Sequence, residues 1–332
     1  MSVSVLKPGL LSTLQDAGRP GHAAIGVGRA GAMDLPAWRL ANALVGNHDG
    51  EAALECTLLG PTLRFERAAW IALTGAPIQA RVGAIELPAW TACHIPASGI
   101  VQLGGMASGC RSYLAVRGGF DVAPVLGSRS TDLHARLGHA GGRALQTGDV
   151  LPVGDAGALC GSVAADTAKA LSWRLDPQPW FDFASAPIAL LRGSHWPQLG
   201  HDSQQRLYDA TFHVDKDSNR TASRLDGPAL RLHAPLELIS EAALPGTVQL
   251  PPSGQPIVLL AEAPVTGGYP RIGQVAAVDL PRLAQRRPGD TVCFRRDTME
   301  HALTRLAERE QALAALLQHI AQRLQPDGPG CA

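Results

Sequence analysis

Short apolar runs of four to six residues, closed off by glycine or proline, recur along the whole chain. They are Trp70–Thr74, Tyr113–Val116, Val150–Val153, Ile188–Leu191, Ile257–Ala261, Val275–Leu280 and Thr291–Phe294. Their length and β-branched content predict strands. Helical periodicity is rarer. Asp34 precedes Pro36–Val45 as an N-cap with proline in the first turn. Asp202–Ala210 and Pro281–Arg287 predict short helices, and Thr298–Leu324 a long one, with Asp297 and Glu300 spaced as a capping box. Its Leu303, Leu306, Leu313, Leu317, Ile320 and Leu324 fall largely on one face, which predicts packing against its own chain.

The stretch Pro245–Gly273 carries the densest punctuation. It predicts a strand at Thr247–Leu250, a tight Pro-Pro-Ser-Gly turn and a second strand at Pro256–Ala261. A loop, Thr266-Gly267-Gly268-Tyr269-Pro270, then presents a hydroxyl and a phenol from a Gly-Gly bend, where glycine permits positive φ and close backbone approach. Two echoes organise the rest. Leu58–Phe65 (LLGPTLRF) matches Leu225–Leu232 (LDGPALRL), and Gly148-Asp149-Val150 matches Gly289-Asp290-Thr291. They predict two related β-rich lobes joined through Gly154–Ala186, with a ligand cleft between them.

Composition narrows the class. The 332 residues, 45% of them hydrophobic, suffice for two cores, and 36 Gly with 25 Pro favour many strands and turns over a bundle. Twenty-nine basic residues balance 29 acidic ones, which argues against a nucleic-acid or membrane-surface partner. Cys56, Cys93, Cys110, Cys160, Cys293 and Cys331 show no CxxC spacing and read as reduced thiols. The first residues, MSVSVLKPGL, lack a long apolar segment, so a cytoplasmic location is expected.

Several chemistries are set aside by motif. Gly26-Val27-Gly28-Arg29-Ala30-Gly31 satisfies GxGxxG but follows a turn-rich loop rather than a buried strand. No P-loop lysine exists, since Lys7, Lys169 and Lys216 sit outside glycine-rich loops. His134/His139 and His195/His201 lack metal-site spacing, so no metal is expected. No GxSxG elbow is present. What remains is polar residues in turns: Gln15, Asp16 and Arg19; Arg111 and Tyr113 beside Gly118-Gly119; and Asn219, Arg220 and Arg224. Arginine can grip a carboxylate or phosphate bidentately, while an internal salt bridge is the competing role for each.

Longer segments in register carry a resemblance. They include LQDAGRPG (14–21), GAMDLPAWRLANALVGN (31–47), ALECTLLGPTLRF (53–65), GCRSYLAVRGGF (109–120) and LGSRST (126–131). Further along come SNRTASRLDGP (218–228), PGTVQLPPSGQPIVLL (245–260) and TGGYP (266–270). From residue 3 to 296 the chain resembles the second-subunit family of allophanate hydrolase. That family includes the C subunit of 5-oxoprolinase, a kinase-inhibitor antagonist and the carboxyltransferase region of urea carboxylase. The resemblance implies a mainly β fold of two tandem cyclophilin-like β-barrel lobes, at 1–155 and 187–296, with a C-terminal helix at 297–325. It also implies A and B partner subunits and ATP-dependent opening of 5-oxoproline to glutamate. Two positions depart from the family pattern: Thr221-Ala222 replaces Met-Gly after Asn219-Arg220, and Glu262 stands where an Asp is usual.

On this reading Tyr269, Thr266 and Glu262 are the catalytic candidates. Asn219, Arg220, Arg224, Gln249, Gln255, Gly267 and Gly268 are expected to bind substrate, with Arg220 or Arg224 on a carboxylate. Asp16, Arg19, Asp34, Arg111 and Tyr113 are secondary candidates. ATP is used by the complex without a P-loop in this chain. Carboxyl transfer to urea or a related amide is an alternative, with biotin carried by another protein because no lysine here follows methionine. Antagonism of a kinase inhibitor of the B-subunit type, without chemistry, is another.

Overall fold

The computed structural model describes residues 1–157, 159, 167–181, 186–236 and 238–325. Cys160, Cys331 and part of the joining segment Gly154–Ala186 lie outside them. The chain divides into two compact units. Unit 1 holds Met1–Gly18, Asp34–Asp182 and Ala312–Ala332, and unit 2 holds Arg19–Met33 and Phe183–Gln311. The segment 19–33, expected in the first lobe, therefore groups with the second, and the C-terminal helix is divided between the two.

Unit 1 is built from two six-stranded sheets. One runs in the order Val150–Pro152, Ser2–Lys7, Thr62–Phe65, Ile100–Met106, Ile78–Val82, Ile85–Glu86. The other runs Lys169–Ala170, Ala92–Ile95, Ala69–Gly75, Arg111–Val116, Ala53–Thr57, Leu11–Gln15. Alternation places Val3, Val5, Leu63 and Phe65 of the first sheet in one core with Leu54, Ile71, Leu114 and Val116 of the second. Helix Leu35–Leu44 packs on strands Ala69–Gly75 and Arg111–Val116. Both strands are therefore buried along their whole length, which is why they read as unbroken apolar runs. Asp34 caps this helix as expected, its Oδ1 accepting from Ala37 N at 3.1 Å.

Unit 2 contains an eight-stranded sheet ordered Thr291–Val292, Phe212–Val214, Ala222–Asp226, Ile257–Leu259, Thr247–Gln249, Arg271–Val275, Ile188–Arg192, Phe294–Arg296. Its core gathers Leu190, Phe212, Leu225, Val248, Val258, Ile272 and Phe294. A separate two-stranded ribbon pairs Glu241–Ala242 with Thr266–Gly267. The mainly β class with few helices and a C-terminal helix is as expected.

The second echo has a structural counterpart. In unit 1, Gly148 N donates to Val5 O, Val5 N donates to Asp149 O, and Asp149 Oδ2 accepts from Gln146 N. In unit 2, Gly289 N donates to Val214 O, Val214 N to Asp290 O, and Asp290 Oδ2 accepts from Arg287 N. Both glycines have positive φ. The first echo does not correspond in this frame. With Val5 equivalent to Val214, the cross-strand partners Leu63 and Leu225 become equivalent, whereas the sequence match aligned Leu58 with Leu225. Gly60-Pro61 precedes its strand, and Gly227-Pro228 follows one.

Three local expectations are corrected. Val275–Leu280 is not a strand: pairing ends at Val275, a 3-10 turn covers Ala277–Asp279, and helix Leu280–Ala284 follows. There the Asp279 carboxylate, rather than a strand carbonyl, accepts from Ala189 N at 2.9 Å. Helix Met299–Arg323 is capped by Thr298, whose Oγ1 accepts from His301 N, while Asp297 takes His301 Nδ1 instead of forming a box with Glu300. Its buried face begins at Ala302 and continues through Leu313, Ile320 and Leu324, leaving Leu303 exposed.

Asp279 is fully buried. Burial by itself raises its pKa, but hydrogen bonds from Arg305 and the Ala189 N–H and the charges of Arg305 and Arg282 overcome this and hold it below the usual carboxylate range. A depressed folded value contributes stability above the unfolded pKa and loses it as pH falls through the folded one. The urea midpoint is expected to drop between pH 7 and pH 3, and Arg305→Gln to reduce that drop.

Candidate functional site

The turn before strand Ala222–Asp226 is set by Asn219, whose Oδ1 accepts from Thr221 N at 2.8 Å and Ala222 N at 3.2 Å. This Asx turn directs Arg220 inward, to 2% exposure. Arg220 Nε donates to Glu262 Oε1 at 2.5 Å and Nη2 to Gly31 O at 2.7 Å. Glu262 N in turn donates to Arg220 O at 3.0 Å, and its side chain is equally dry. The carboxylate that Arg220 grips is thus the chain's own, and the pair anchors segment 19–33 through Gly31. Neither residue is presented to a ligand.

A different group shares one face of the sheet. Arg224 pairs with Ile257, Ile257 with Gln249, and Gln249 with Arg271. Directly opposed residues on neighbouring strands point the same way, so this row crosses four strands on one face. The neighbouring positions Ala222 and Leu259 form a small apolar cluster with Ala243 and Ala263. The Glu241–Ala242/Thr266–Gly267 ribbon is tied over the row by Arg271, which donates Nη1 to Ala242 O at 2.8 Å and Nη2 to the Glu241 carboxylate.

Gln249 lies under the ribbon at 6% exposure, and its Nε2 has no hydrogen-bond partner among the described residues. A Cβ on Gly267 would come within 2.3 Å of that nitrogen, whereas one on Gly268 would meet nothing closer than 3.7 Å. Neither glycine adopts positive φ, so close approach alone requires Gly267, and nothing requires Gly268. Gly267→Ala is expected to displace Gln249 at a cost of about 1–3 kcal/mol, while Gly268→Ala stays within about 0.5 kcal/mol. Parallel urea melts check the contrast.

The remaining candidates fall into two groups. Thr266 and Tyr269 are exposed on the loop, and Arg224 makes no side-chain hydrogen bond or ion pair among the described residues. Gln255 instead spends both ends of its carboxamide on Gly227 N and O, fixing a turn. In unit 1, Asp16 accepts from Ser128 Oγ, Ser130 Oγ, Gly18 N and Arg129 N at 2.5–2.8 Å. Tyr113 Oη accepts from Asp34 N and donates to Glu55 Oε2, with Arg111 Nε 3.8 Å from the same carboxylate. Burial first, then Glu55, raises the Tyr113 pKa well above the usual phenol range. These are internal ties. Arg19, in unit 2, is buried to 1% exposure.

Chemically, the row offers hydrogen-bond donors at Gln249 and Arg224, with hydroxyls at Thr266 and Tyr269 and with Arg271 committed to the ribbon. That set suits a small, oxygen-rich acid or amide. No cluster of three or more potential metal ligands occurs among the described residues. Arg271 was missed from sequence. Its position two residues beyond Tyr269, at the start of an alternating strand, was the available signal.

Residues 25–296 match the family model of the carboxyltransferase domain, subdomains A and B. The chain is 39% identical over 303 residues to the 5-oxoprolinase C subunit of Escherichia coli strain K12, covering 91% of this chain and 93% of that one. It is 35% identical over 291 residues to the protein of the same name from Haemophilus influenzae, at 88% and 90% coverage. The crystal structure of the K. lactis urea amidolyase superposes with a TM-score of 0.83 at 26% identity, over 96% of this chain and 20% of that far longer one.

Proposed function

The chain belongs to the family of carboxyltransferase domains, subdomains A and B, and from that premise we propose that it is the C subunit of a 5-oxoprolinase. In this reading it works with the A and B subunits. The complex cleaves ATP while water opens the lactam C–N bond of 5-oxoproline to give glutamate. The observation that carries it is the 39% identity extending over nearly the full length of both chains.

The residues divide the work as their geometry suggests. Arg224, whose guanidinium makes no other bond among the described residues, takes the substrate carboxylate. Thr266 and Tyr269 orient the lactam from the exposed loop. Arg271 holds the ribbon over Gln249, whose Nε2 is left as a donor for a substrate oxygen as charge develops there. Glu262 and Arg220 position segment 19–33 rather than transfer protons. ATP is held elsewhere in the complex.

The test is ATP-dependent glutamate formation from 5-oxoproline by the three subunits, each omitted in turn. Activity is expected only in the complete mixture, and full turnover without this chain would reject the reading. The superposition on urea amidolyase favours one second reading, carboxyl transfer to urea or a related amide. It requires biotin delivered on another protein, so binding of a biotinylated partner together with an inactive three-subunit mixture would support it.

A further inference from the structure

We propose that unit 1 carries a separate binding site for a proton-bearing oxyanion of the phosphate type, built around His94, Arg117 and Arg67. Strand register creates it. Trp70 lies directly opposite His94, and Arg117 N donates to Trp70 O at 2.9 Å, so the three residues form a row across neighbouring strands. Cys93 and Ile95, on either side of His94, turn into the core, which directs the imidazole to the other face.

There the ring is 6% exposed and held edge-on to Trp70, with centroids 5.5 Å apart at 67°. His94 Nδ1 sits 3.1 Å from Thr167 O. A carbonyl only accepts, so the proton of the neutral ring is on Nδ1 and Nε2 presents a lone pair. Among the described residues Nε2 has no partner.

Arg117 is fixed beside it by Nε to Gly157 O at 2.6 Å and Nη1 to Val45 O at 2.8 Å. Burial lowers its pKa, so an arriving anion would offset a cation withdrawn from water. Trp70, His94 and Arg117 line a cavity of about 320 Å³, with Arg67 and Asp155 also on its wall. The Gly154–Gly157 side is closely packed: a Cβ on Gly154 would lie 2.4 Å from Gly118 O.

The donor set defines the ligand. Two guanidinium groups favour an oxyanion. The Nε2 lone pair asks that ligand for a hydrogen, and Asp155 disfavours a fully deprotonated one. Hydrogen phosphate or a phosphomonoester monoanion meets these demands, whereas sulfate has no proton to give. No step of the proposed lactam opening depends on this site.

The test uses the full chain at pH 7, titrated with inorganic phosphate and separately with sulfate, by calorimetry and by the NMR signals of the His94 ring. Phosphate is expected to bind saturably and shift those signals, with sulfate roughly 5- to 10-fold weaker for the lost hydrogen bond. His94→Asn should abolish the preference. Arg67→Gln, an exposed change that spares folding, should weaken phosphate several-fold. Unmoved His94 signals in millimolar phosphate, or equal binding of both anions unaffected by either substitution, would overturn the proposal.

Discussion

Glu262→Ala is expected to lower the stability of the chain by about 3–5 kcal/mol. The reason lies in what remains. Arg220 is 2% exposed, and removing its carboxylate leaves a buried guanidinium without that counter-charge, its Nη2 still on Gly31 O. Replacing both partners with apolar residues, as in Arg220→Met with Glu262→Leu, should recover much of the loss, because no buried charge is stranded. Urea unfolding followed by tryptophan fluorescence reads both. A loss below about 1 kcal/mol for the single change would mean that water reaches the pair, contrary to its burial. Glu262→Gln, which preserves an acceptor, separates positioning from proton transfer. If Glu262 only positions segment 19–33, activity of the assembled complex should fall no further than the folded fraction does.

Asp16→Ala is expected to be nearly as damaging, at about 3–5 kcal/mol. Its carboxylate satisfies two hydroxyls and two backbone N–H groups between residues 18 and 130, drawn from chain segments more than 100 residues apart. Alanine takes that acceptor away from all four donors at once. Ser128→Ala removes the donor to Asp16 and also the acceptor of Ser130 N, and should cost about 2 kcal/mol. Comparable losses for the two variants would show that the loop 126–131 is held by other contacts.

The legible parts of this fold were those decided locally. The Asp34 cap and the strands at Trp70–Thr74 and Tyr113–Val116 depend on neighbouring residues and on burial of both faces, and both leave marks in sequence. The role of Arg220 does not. Its partners, Glu262 and Gly31, lie 42 and 189 residues away, and only the folded sheet brings them together. Gln249 and Gln255, six residues apart in one motif, were both expected to bind substrate, yet Gln255 braces a turn. The difference is which neighbour the register supplies: Gly267 for one, Gly227 for the other. His94 carried no signal, since a single histidine in an apolar strand looks like core until Trp70 and Arg117 are placed beside it. At the C-terminal helix the expected cap, Asp297, was one residue off, because the Thr298 hydroxyl is the side chain that reaches His301 N.

The partition of residues between the units bears on how the chain is made. Unit 2 recruits Arg19–Met33, which are made before its strands, whereas unit 1 recruits Ala312–Leu324, which are made after all of its strands. Unit 1 therefore exists for most of synthesis as a nascent half without Leu313, Ile320 and Leu324 to cover its apolar surface. A polypeptide halted before residue 312 should be a client of chaperones and proteases even though most of its strands are complete. Quality control of unit 1 is then exercised at helix Met299–Arg323, after every one of its strands has been made.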